Sequence, residues 1–224
     1  MKKSVICDID GVILHNNDLI PGADRFVHRL LEQGTKLLFL TNYPAQTQKD
    51  LQNRFRSAGI EVPEECFYTS AMGTADFLKR QDGKKAYVIG EGALTHELYK
   101  AGFTITDIDP DFVVVGETRN YNWTMMHPAC GALCAPIERM TGKKPFYVGK
   151  PSAWIIRAAL NRMEAHSDDT IIIGDNLRTD ILAGFQAGLE TVLVLSGVSK
   201  VADIDRMPFR PNHIFDSVVD IDIV

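Results

Sequence analysis

Short apolar runs alternate along the chain with longer segments whose apolar residues recur at helical spacing. The runs predict strands at 5–7, 36–40, 66–69, 86–89, 112–115, 146–149, 170–173 and 191–195. The intervening segments predict helices at 21–33, 44–58, 72–80, 93–101, 123–140 and 152–165, and a last helix that ends at 187. The tail from about 203 onward is predicted to be a loop-rich closing segment.

This alternation predicts an α/β fold in which helices cover a parallel sheet. In such a sheet the carboxyl ends of the strands meet at one edge, and active sites form just beyond them. A polar turn at 81–85 is the best candidate for a boundary within the chain, because a second series of strands and helices begins after it.

Composition narrows the class of protein. The chain has 224 residues and a net charge of -5, which argues against a nucleic-acid polymer or a membrane surface as partner. No apolar run is long enough to span a bilayer, and Asp8 interrupts any apolar signal segment. The four cysteines follow no pattern of a small secreted domain, so we expect a cytoplasmic protein with reduced thiols. The sequence predicts no oligomeric state.

The first predicted strand ends in two aspartates, Asp8 and Asp10, followed at once by Gly11. Two carboxylates this close repel each other unless a cation or a shared proton relieves them. Gly11 allows the chain to turn at the end of the strand. The motif indicates a divalent metal and phosphate chemistry. A strand-end turn with solvated aspartates is the alternative, and an isolated Asp-x-Asp does not decide between the two.

Polar residues also follow three further predicted strands. They are Thr41 with Asn42, Lys150, and Asp175 with Asp180. Because parallel strands bring their carboxyl ends to one edge, we expect these groups to lie near the first two aspartates. Taken singly, each fits a structural role as well: a helix cap, a solvated turn lysine or a surface carboxylate. The coincidence of all of them favours an active site.

Together these groups can perform phosphoryl transfer, which needs a nucleophile, a proton donor and groups that balance the charge of the phosphate. Asp8 can be the nucleophile. Asp10 can protonate the leaving alcohol and later take a proton from the attacking water. Thr41 can hold a phosphate oxygen, and Lys150 can neutralise charge on the nucleophile and on the transferring group.

The last strand-end group predicts a cation site. Asp175, with support from Asp180, can hold Mg²⁺, a hard cation that favours carboxylates. The order Asp-x-Asp-Gly-Val, Thr-Asn, a distant Lys-Pro, and Gly-Asp-Asn-x-x-Thr-Asp resembles the haloacid dehalogenase (HAD) superfamily of phosphatases. More narrowly, the chain is similar to the NagD-like nucleotide phosphatases over nearly its whole length.

The resemblance implies a Rossmann-like core and a Mg²⁺-dependent phosphatase that acts through an aspartyl-phosphate on Asp8. In this family the metal is held by the Asp8 carboxylate, the Asp10 backbone carbonyl and Asp175. The implied phosphate-binding residues are Thr41, Asn42, Lys150 and Asn176. The implied partner is a small-molecule phosphomonoester, above all a nucleoside 5′-monophosphate such as UMP, with a broad range of sugar phosphates as the alternative.

The resemblance also implies a cap of the C2 type inserted between the threonine and lysine motifs. The predicted core covers 1–82 and 145–224, and the predicted cap covers 83–144. This cap is short: NagD-like caps carry a further helix–strand unit after the segment corresponding to His127, with an Asn-Pro-Asp loop that faces the substrate. Here His127 runs straight into Pro128. We expect chemistry on a generic phosphoester to survive better than discrimination between nucleotides. A catalytically impaired protein with the HAD fold is the alternative.

Three further interpretations are disfavoured. A receiver-type signalling domain also uses a strand-end aspartate, Mg²⁺, a threonine and a lysine, but it has no proton donor equivalent to Asp10 and no inserted cap. His127, Cys130 and Cys134 form an incomplete set for structural zinc and favour packing. The glycine-rich segment 90–93 lacks a Walker lysine, and a tight strand-to-helix turn fits it better.

Overall fold

The structure is a computed structural model that describes residues 4–117 and 130–222. Its strands are β1 (Ser4–Cys7), β2 (Leu14–His15), β3 (Asp18–Leu19), β4 (Lys36–Thr41), β5 (Phe67–Thr69), β6 (Lys85–Ile89), β7 (Thr104–Ile105), β8 (Phe112–Val115), β9 (Thr170–Gly174), β10 (Glu190–Val194) and β11 (His213–Phe215). Its helices are α1 (Ala23–Glu32), α2 (Gln48–Ser57), α3 (Ser70–Leu78), α4 (Gly92–Lys100), α5 (Cys130–Thr141), α6 (Ala153–Arg162), α7 (Leu182–Ala187) and α8 (Val201–Ile204). None of the described helices is long and apolar enough to cross a membrane.

Six strands form the larger sheet in the order β11-β10-β9-β1-β4-β5. β1 lies at its centre and pairs in parallel with β4 on one side and β9 on the other. Cys7 is level with Phe39 of β4 and with Ile173 of β9, so these three strands reach the same edge together. All four residues of β1 and all five of β9 are buried, as expected of central strands covered on both faces.

Aromatic and branched side chains fill the core of this unit. Phe39 of β4, Phe55 of α2 and Phe67 of β5 pack ring against ring, with centroids 4.8–5.5 Å apart. Such clusters hold helix and sheet together through burial and edge-to-face contacts. The rigid packing under β1 and β4 fixes the positions at which those strands end.

By its internal contacts the chain divides into two compact units. The first contains Met1–Asn42, Gln48–Tyr68 and Gly149–Val224, and the second contains Tyr43–Thr47 and Thr69–Val148. The second unit has a parallel sheet in the order β7-β6-β8, covered by an apolar cluster that α3 and α4 contribute to. The predicted cap, 83–144, falls inside the second unit, and its assignment as a cap stays a prediction.

The α/β prediction is confirmed, and most predicted elements are present within a few residues of their expected bounds. The helix predicted at 44–58 begins only at Gln48, because the chain first passes through the second unit at Tyr43–Thr47. The helix predicted at 123–140 is described from Cys130 onward. Residues 118–129, and with them His127 and the point at which the further helix–strand unit is expected to be missing, lie outside the described residues.

The loop-rich tail contains one short strand that the sequence did not predict: β11 pairs in parallel with β10 and extends the large sheet. It has only three residues, with Ile214 exposed, so it carries no apolar run that a sequence pattern could detect. Lys150, in turn, does not follow a strand, because residues 143–148 have irregular backbone and Lys150 lies in the turn before α6.

Candidate active site

Three strands of the large sheet deliver side chains to one edge. Asp8 follows the last residue of β1, Thr41 is the last residue of β4, and Asp175 follows the last residue of β9. The backbone N–H of Asp8 donates to the carbonyl oxygen of Ile173 at 3.0 Å, so β1 and β9 remain joined up to the nucleophile candidate. This edge is the place where parallel α/β sheets form their sites.

Lys150 enters this edge as a buried cation. Its Nζ lies 2.9 Å from Asp8 Oδ1 and 2.6 Å from Asp180 Oδ1, and it donates a hydrogen bond to the carbonyl oxygen of Leu40 at 2.9 Å. The side chains of Lys150 and Asp180 are 3% and 0% exposed, and that of Asp8 is 16% exposed. Lysine is rarely buried unless paired, and here two carboxylates face it.

Lys150 and Asp180 form a buried ion pair, with Nζ 2.6 Å from Asp180 Oδ1. The other oxygen, Oδ2, accepts from the backbone N–H of Asn176 at 3.2 Å and from the Thr179 hydroxyl at 3.3 Å.

Asp175 is held in a narrow cradle of backbone. Its Oδ2 accepts from the backbone N–H of Val198 at 2.6 Å, and its own carbonyl accepts from Ser199 at 3.0 Å. A side chain on Gly197 or on Gly11 would overlap the Asp175 carboxylate, and Gly11 also has φ +80°, a conformation that favours glycine. The Ser196 hydroxyl donates to the carbonyl oxygen of Gly11 at 2.7 Å and joins the two backbone segments.

Burial and like charge change the acidity of this group. Burial, with the charge of Asp180 adding to it, raises the pKa of Asp8 to about 7, against the opposing effect of Lys150. Burial also raises the pKa of Asp175. Burial alone would lower the pKa of Lys150, but the charges of Asp180 and Asp8 outweigh it and hold that pKa above its ordinary value. Lys150 therefore stays positively charged, but its single charge does not neutralise the carboxylates around it.

The carboxylates fit a hard divalent cation. Asp8, Asp175 and Asp180 each offer one oxygen, and these three atoms lie within 4.8 Å of one another. The donors are all oxygens, and one lysine charge does not balance three carboxylates, of which two are buried. Mg²⁺ is bound in proteins by carboxylates that leave room for several waters, which matches this set. That this site binds magnesium stays a prediction.

Asn42 is placed against the backbone of Lys150. Its Nδ2 donates to the Lys150 carbonyl oxygen at 2.8 Å, and its Oδ1 accepts from the Lys150 N–H at 2.7 Å. Asn176 caps the turn at Leu177–Ile181, its Oδ1 accepting from the backbone N–H of Arg178 at 2.9 Å. The roles of Asn42, Asn176 and the buried Thr41 in phosphate binding stay predictions.

Asp10 stands apart from the carboxylate group. Its Oδ1 lies 2.6 Å from Nη2 of Arg54 on α2, and its side chain is 54% exposed. The predicted proton-transfer residue thus has an accessible carboxylate, whereas Asp8 is mostly shielded and Asp175 and Asp180 are buried. Sequence reasoning identified Asp10 but missed Arg54, because a single arginine in the middle of an ordinary polar helix carries no signal of its own.

Comparison with known proteins gives the family of the chain. Residues 5–104 match the family model described as haloacid dehalogenase-like hydrolase. Residues 147–221 match a second model of the same kind, HAD-hydrolase-like. These two ranges carry all the residues of the site described above.

Three similar proteins cover almost the whole chain. Ribonucleotide monophosphatase NagD of Escherichia coli K12 is 64% identical over 99% of both chains, and its solved structure superposes with a TM-score of 0.93 at 63% identity, covering 100% of this chain and 99% of that one. Dihydroxyacetone phosphatase of Corynebacterium glutamicum is 40% identical, covering 97% of this chain and 90% of the relative. The structure of p-nitrophenyl phosphatase from Archaeoglobus fulgidus has a TM-score of 0.88 at 33% identity, with 98% and 97% covered.

The match with E. coli NagD extends over 247 positions, more than the 224 residues of this chain. The relative therefore has residues inside the matched region that have no counterpart here.

Proposed function

Because the chain belongs to the haloacid dehalogenase-like hydrolase family, we propose that it is a magnesium-dependent phosphomonoester hydrolase with Asp8 as its nucleophile. This agrees with the phosphatase activity that the sequence motifs predicted. The single observation that carries this proposal is the position of Asp8. It extends from the central strand with Lys150 Nζ 2.9 Å away, beside two further buried carboxylates. A nucleophilic carboxylate needs this combination of a fixed cation and a second charge-balancing site.

The reaction follows from two carboxylates with different surroundings. An oxygen of Asp8 attacks phosphorus, the bond from phosphorus to the substrate oxygen breaks, and Asp10 gives its proton to the leaving oxygen. Water then attacks the aspartyl-phosphate and passes a proton back to Asp10, and the bond from phosphorus to the Asp8 oxygen breaks to release phosphate. Lys150, a permanent cation here, stabilises the negative charge on Asp8 and on the transferring group.

Magnesium would be held by the carboxylates of Asp8 and Asp175, with the backbone carbonyl of Asp10, and Asp180 would support the site. When bound there, it supplies positive charge that offsets the phosphate oxygens. Asp180 Oδ1 already lies 2.6 Å from Lys150 Nζ. We therefore assign Asp180 two roles: it orients Lys150 and it supports the magnesium site.

The proposed substrate is a small phosphomonoester, in first place a nucleoside 5′-monophosphate such as UMP. The 64% identity with E. coli ribonucleotide monophosphatase NagD supports this choice. The second candidate is a broader range of small phosphoesters, and the C. glutamicum relative, a dihydroxyacetone phosphatase, supports it. The residues missing relative to NagD favour weak discrimination between these substrates.

A cytoplasmic location completes the proposal. Among the described cysteines, Cys7 and Cys66 are thiols rather than disulfides, and burial raises the pKa of both. Buried thiols of high pKa are unreactive, which suits a structural role in a reducing compartment.

The experiment is phosphate release from p-nitrophenyl phosphate and from UMP, with and without Mg²⁺. The proposal expects hydrolysis that requires the cation and that Asp8→Asn abolishes. Asp82→Asn, which changes an exposed aspartate in the turn before β6, is the matched control and should hydrolyse normally. A folded chain with no hydrolysis of either substrate would support the catalytically impaired alternative instead.

A further inference from the structure

Arg54 contacts three groups on two neighbouring segments of the chain. From α2 it reaches Asp10 Oδ1 with Nη2 at 2.6 Å, and the same Nη2 donates to the carbonyl oxygen of Asn16. Its Nε donates to Asn17 Oδ1 at 3.3 Å. The Arg54 side chain is 14% exposed, much less than the 54% of its partner Asp10.

The two segments are parts of one small structure. β2 and β3 form an antiparallel hairpin whose turn is Asn16–Asn17, with Asn16 at φ 56°. Gly11, next to Asp10, donates its N–H to the carbonyl oxygen of Leu14 at 2.7 Å, so the hairpin continues directly from the loop that carries Asp10. Arg54 therefore fixes both the tip of the hairpin and the carboxylate at its base.

The geometry of arginine suits this position. A guanidinium group presents several donors in a rigid plane and can bind several acceptors at fixed angles, whereas lysine offers a single charged nitrogen. An isolated exposed ion pair contributes little to stability. Three acceptors around one mostly buried guanidinium restrict the direction of the Asp10 carboxylate instead.

We infer that Arg54 is a positioning residue for proton transfer: it holds Asp10 where its proton reaches the leaving oxygen of the substrate. This inference rests on the proposed function, in which Asp10 is the general acid. A proton donor must lie within hydrogen-bond reach of the leaving oxygen, so a carboxylate free to rotate on an exposed loop delivers its proton less often. Arg54 itself touches no reacting atom.

A purely structural role for Arg54 predicts something different. If the contacts only stabilised the hairpin, their loss would lower activity on every substrate by the same factor. If they position the proton donor, the loss depends on how much the leaving group needs the proton. Nitrophenolate leaves readily without protonation, whereas phenolate is a stronger base and depends more on the general acid.

The test compares Arg54→Gln with the unaltered chain in the presence of Mg²⁺, using p-nitrophenyl phosphate and phenyl phosphate. These probes have similar shapes and differ chiefly in the basicity of the leaving group. The quantity compared is kcat/KM, since it reports the step in which the leaving group departs. We expect kcat/KM to fall by about tenfold or more for phenyl phosphate and by less than about threefold for p-nitrophenyl phosphate.

Arg56→Gln is the matched control, because Arg56 lies on the same helix, is exposed and pairs with Glu61 at 2.7 Å. It should leave both values unchanged. Arg54→Lys keeps the positive charge but loses the planar guanidinium group. The ratio of kcat/KM for phenyl phosphate to that for p-nitrophenyl phosphate should lie between the values for the unaltered chain and for Arg54→Gln. In an Asp10→Asn background, Arg54→Gln should cause no further loss that depends on the leaving group, because the two residues act through one proton.

Equal losses on both substrates, or a persistent effect in the Asp10→Asn background, would overturn the inference. Thermal unfolding of each variant identifies a loss caused by misfolding, and Asn17→Ala, which removes one hairpin contact but spares Asp10, then separates the two roles. It should lower both kcat/KM values by the same small factor. If the unaltered chain hydrolyses neither probe, the proposed function fails rather than the role of Arg54.

Discussion

The side-chain amide of Asn42 grips the backbone of Lys150 with both of its ends, one donating and one accepting. The two residues are 108 positions apart in the sequence, and the link joins the end of β4 to the turn before α6. Lys150 does not follow a strand, so its backbone position is not fixed by sheet pairing. The two hydrogen bonds from Asn42 fix it instead.

Removing the two hydrogen bonds between Asn42 and the Lys150 backbone should displace the catalytic lysine. We expect Asn42→Ala to lower kcat on p-nitrophenyl phosphate by about tenfold to a hundredfold, because a shift of about 1 Å in a charged group has effects of that size. Steady-state assays with Mg²⁺ measure it. Asn53→Ala on the exposed face of α2 is the control and should be fully active. An Asn42→Ala protein with normal kcat would show that the lysine is fixed by its ion pairs alone.

The backbone around Asp175 should control magnesium binding. In Gly197→Ala the new methyl group overlaps the Asp175 carboxylate and forces it to move. We expect the Mg²⁺ concentration for half-maximal activity to rise by about tenfold or more, as for other changes that disturb a ligand from outside. Gly92→Ala has open space around the added carbon and should bind Mg²⁺ normally. Unchanged magnesium dependence in Gly197→Ala would place the cation away from Asp175.

Protons should compete with magnesium. Without a cation the pKa of Asp8 is raised to about 7, so below that pH the carboxyl keeps its proton and the metal must displace it. We expect the apparent affinity for Mg²⁺ to fall by about tenfold for each pH unit below 7 and to level off above it. Titration calorimetry at several pH values measures this, and an affinity that is constant from about pH 5.5 to 8 contradicts the placement of Asp8 at the metal.

Substrate selectivity should be weak. The chain lacks residues that E. coli NagD has, and we expect the gap to lie in the predicted cap. We expect kcat/KM for UMP to exceed that for p-nitrophenyl phosphate by no more than about tenfold, since few contacts to the nucleoside remain to lower the barrier. E. coli NagD, assayed in parallel, is the natural reference. A strong preference of this chain for UMP would mean that nucleotide recognition does not need the missing segment.

The sequence predicted those parts of the site that lie directly after strands. Asp8, Thr41 and Asp175 each end an apolar run, and the parallel sheet then brings them to one edge by geometry alone. The local pattern was sufficient because each apolar run is a strand of one parallel sheet, in which β1 pairs with both β4 and β9.

Contacts between distant segments could not be predicted in this way. The partner of Asn42 lies 108 residues away, and that of Asp10 lies 44 residues away in a helix whose sequence is typical of a surface. β11 is too short and too exposed to show a period. These features depend on how the helices and strands pack against one another, and the local periodicity of a sequence carries no information about that packing.

The most direct test of the central claim is to look for phosphate on Asp8 itself. The chain is mixed with p-nitrophenyl phosphate and Mg²⁺, stopped with acid within milliseconds, digested and examined by mass spectrometry. If Asp8 is the nucleophile, we expect a phosphorylated peptide containing Asp8, from which hydroxylamine releases the phosphate, and no such peptide from Asp8→Asn. Turnover of substrate with no phosphate on Asp8 at any time, while Asp8→Asn remains active, would contradict it.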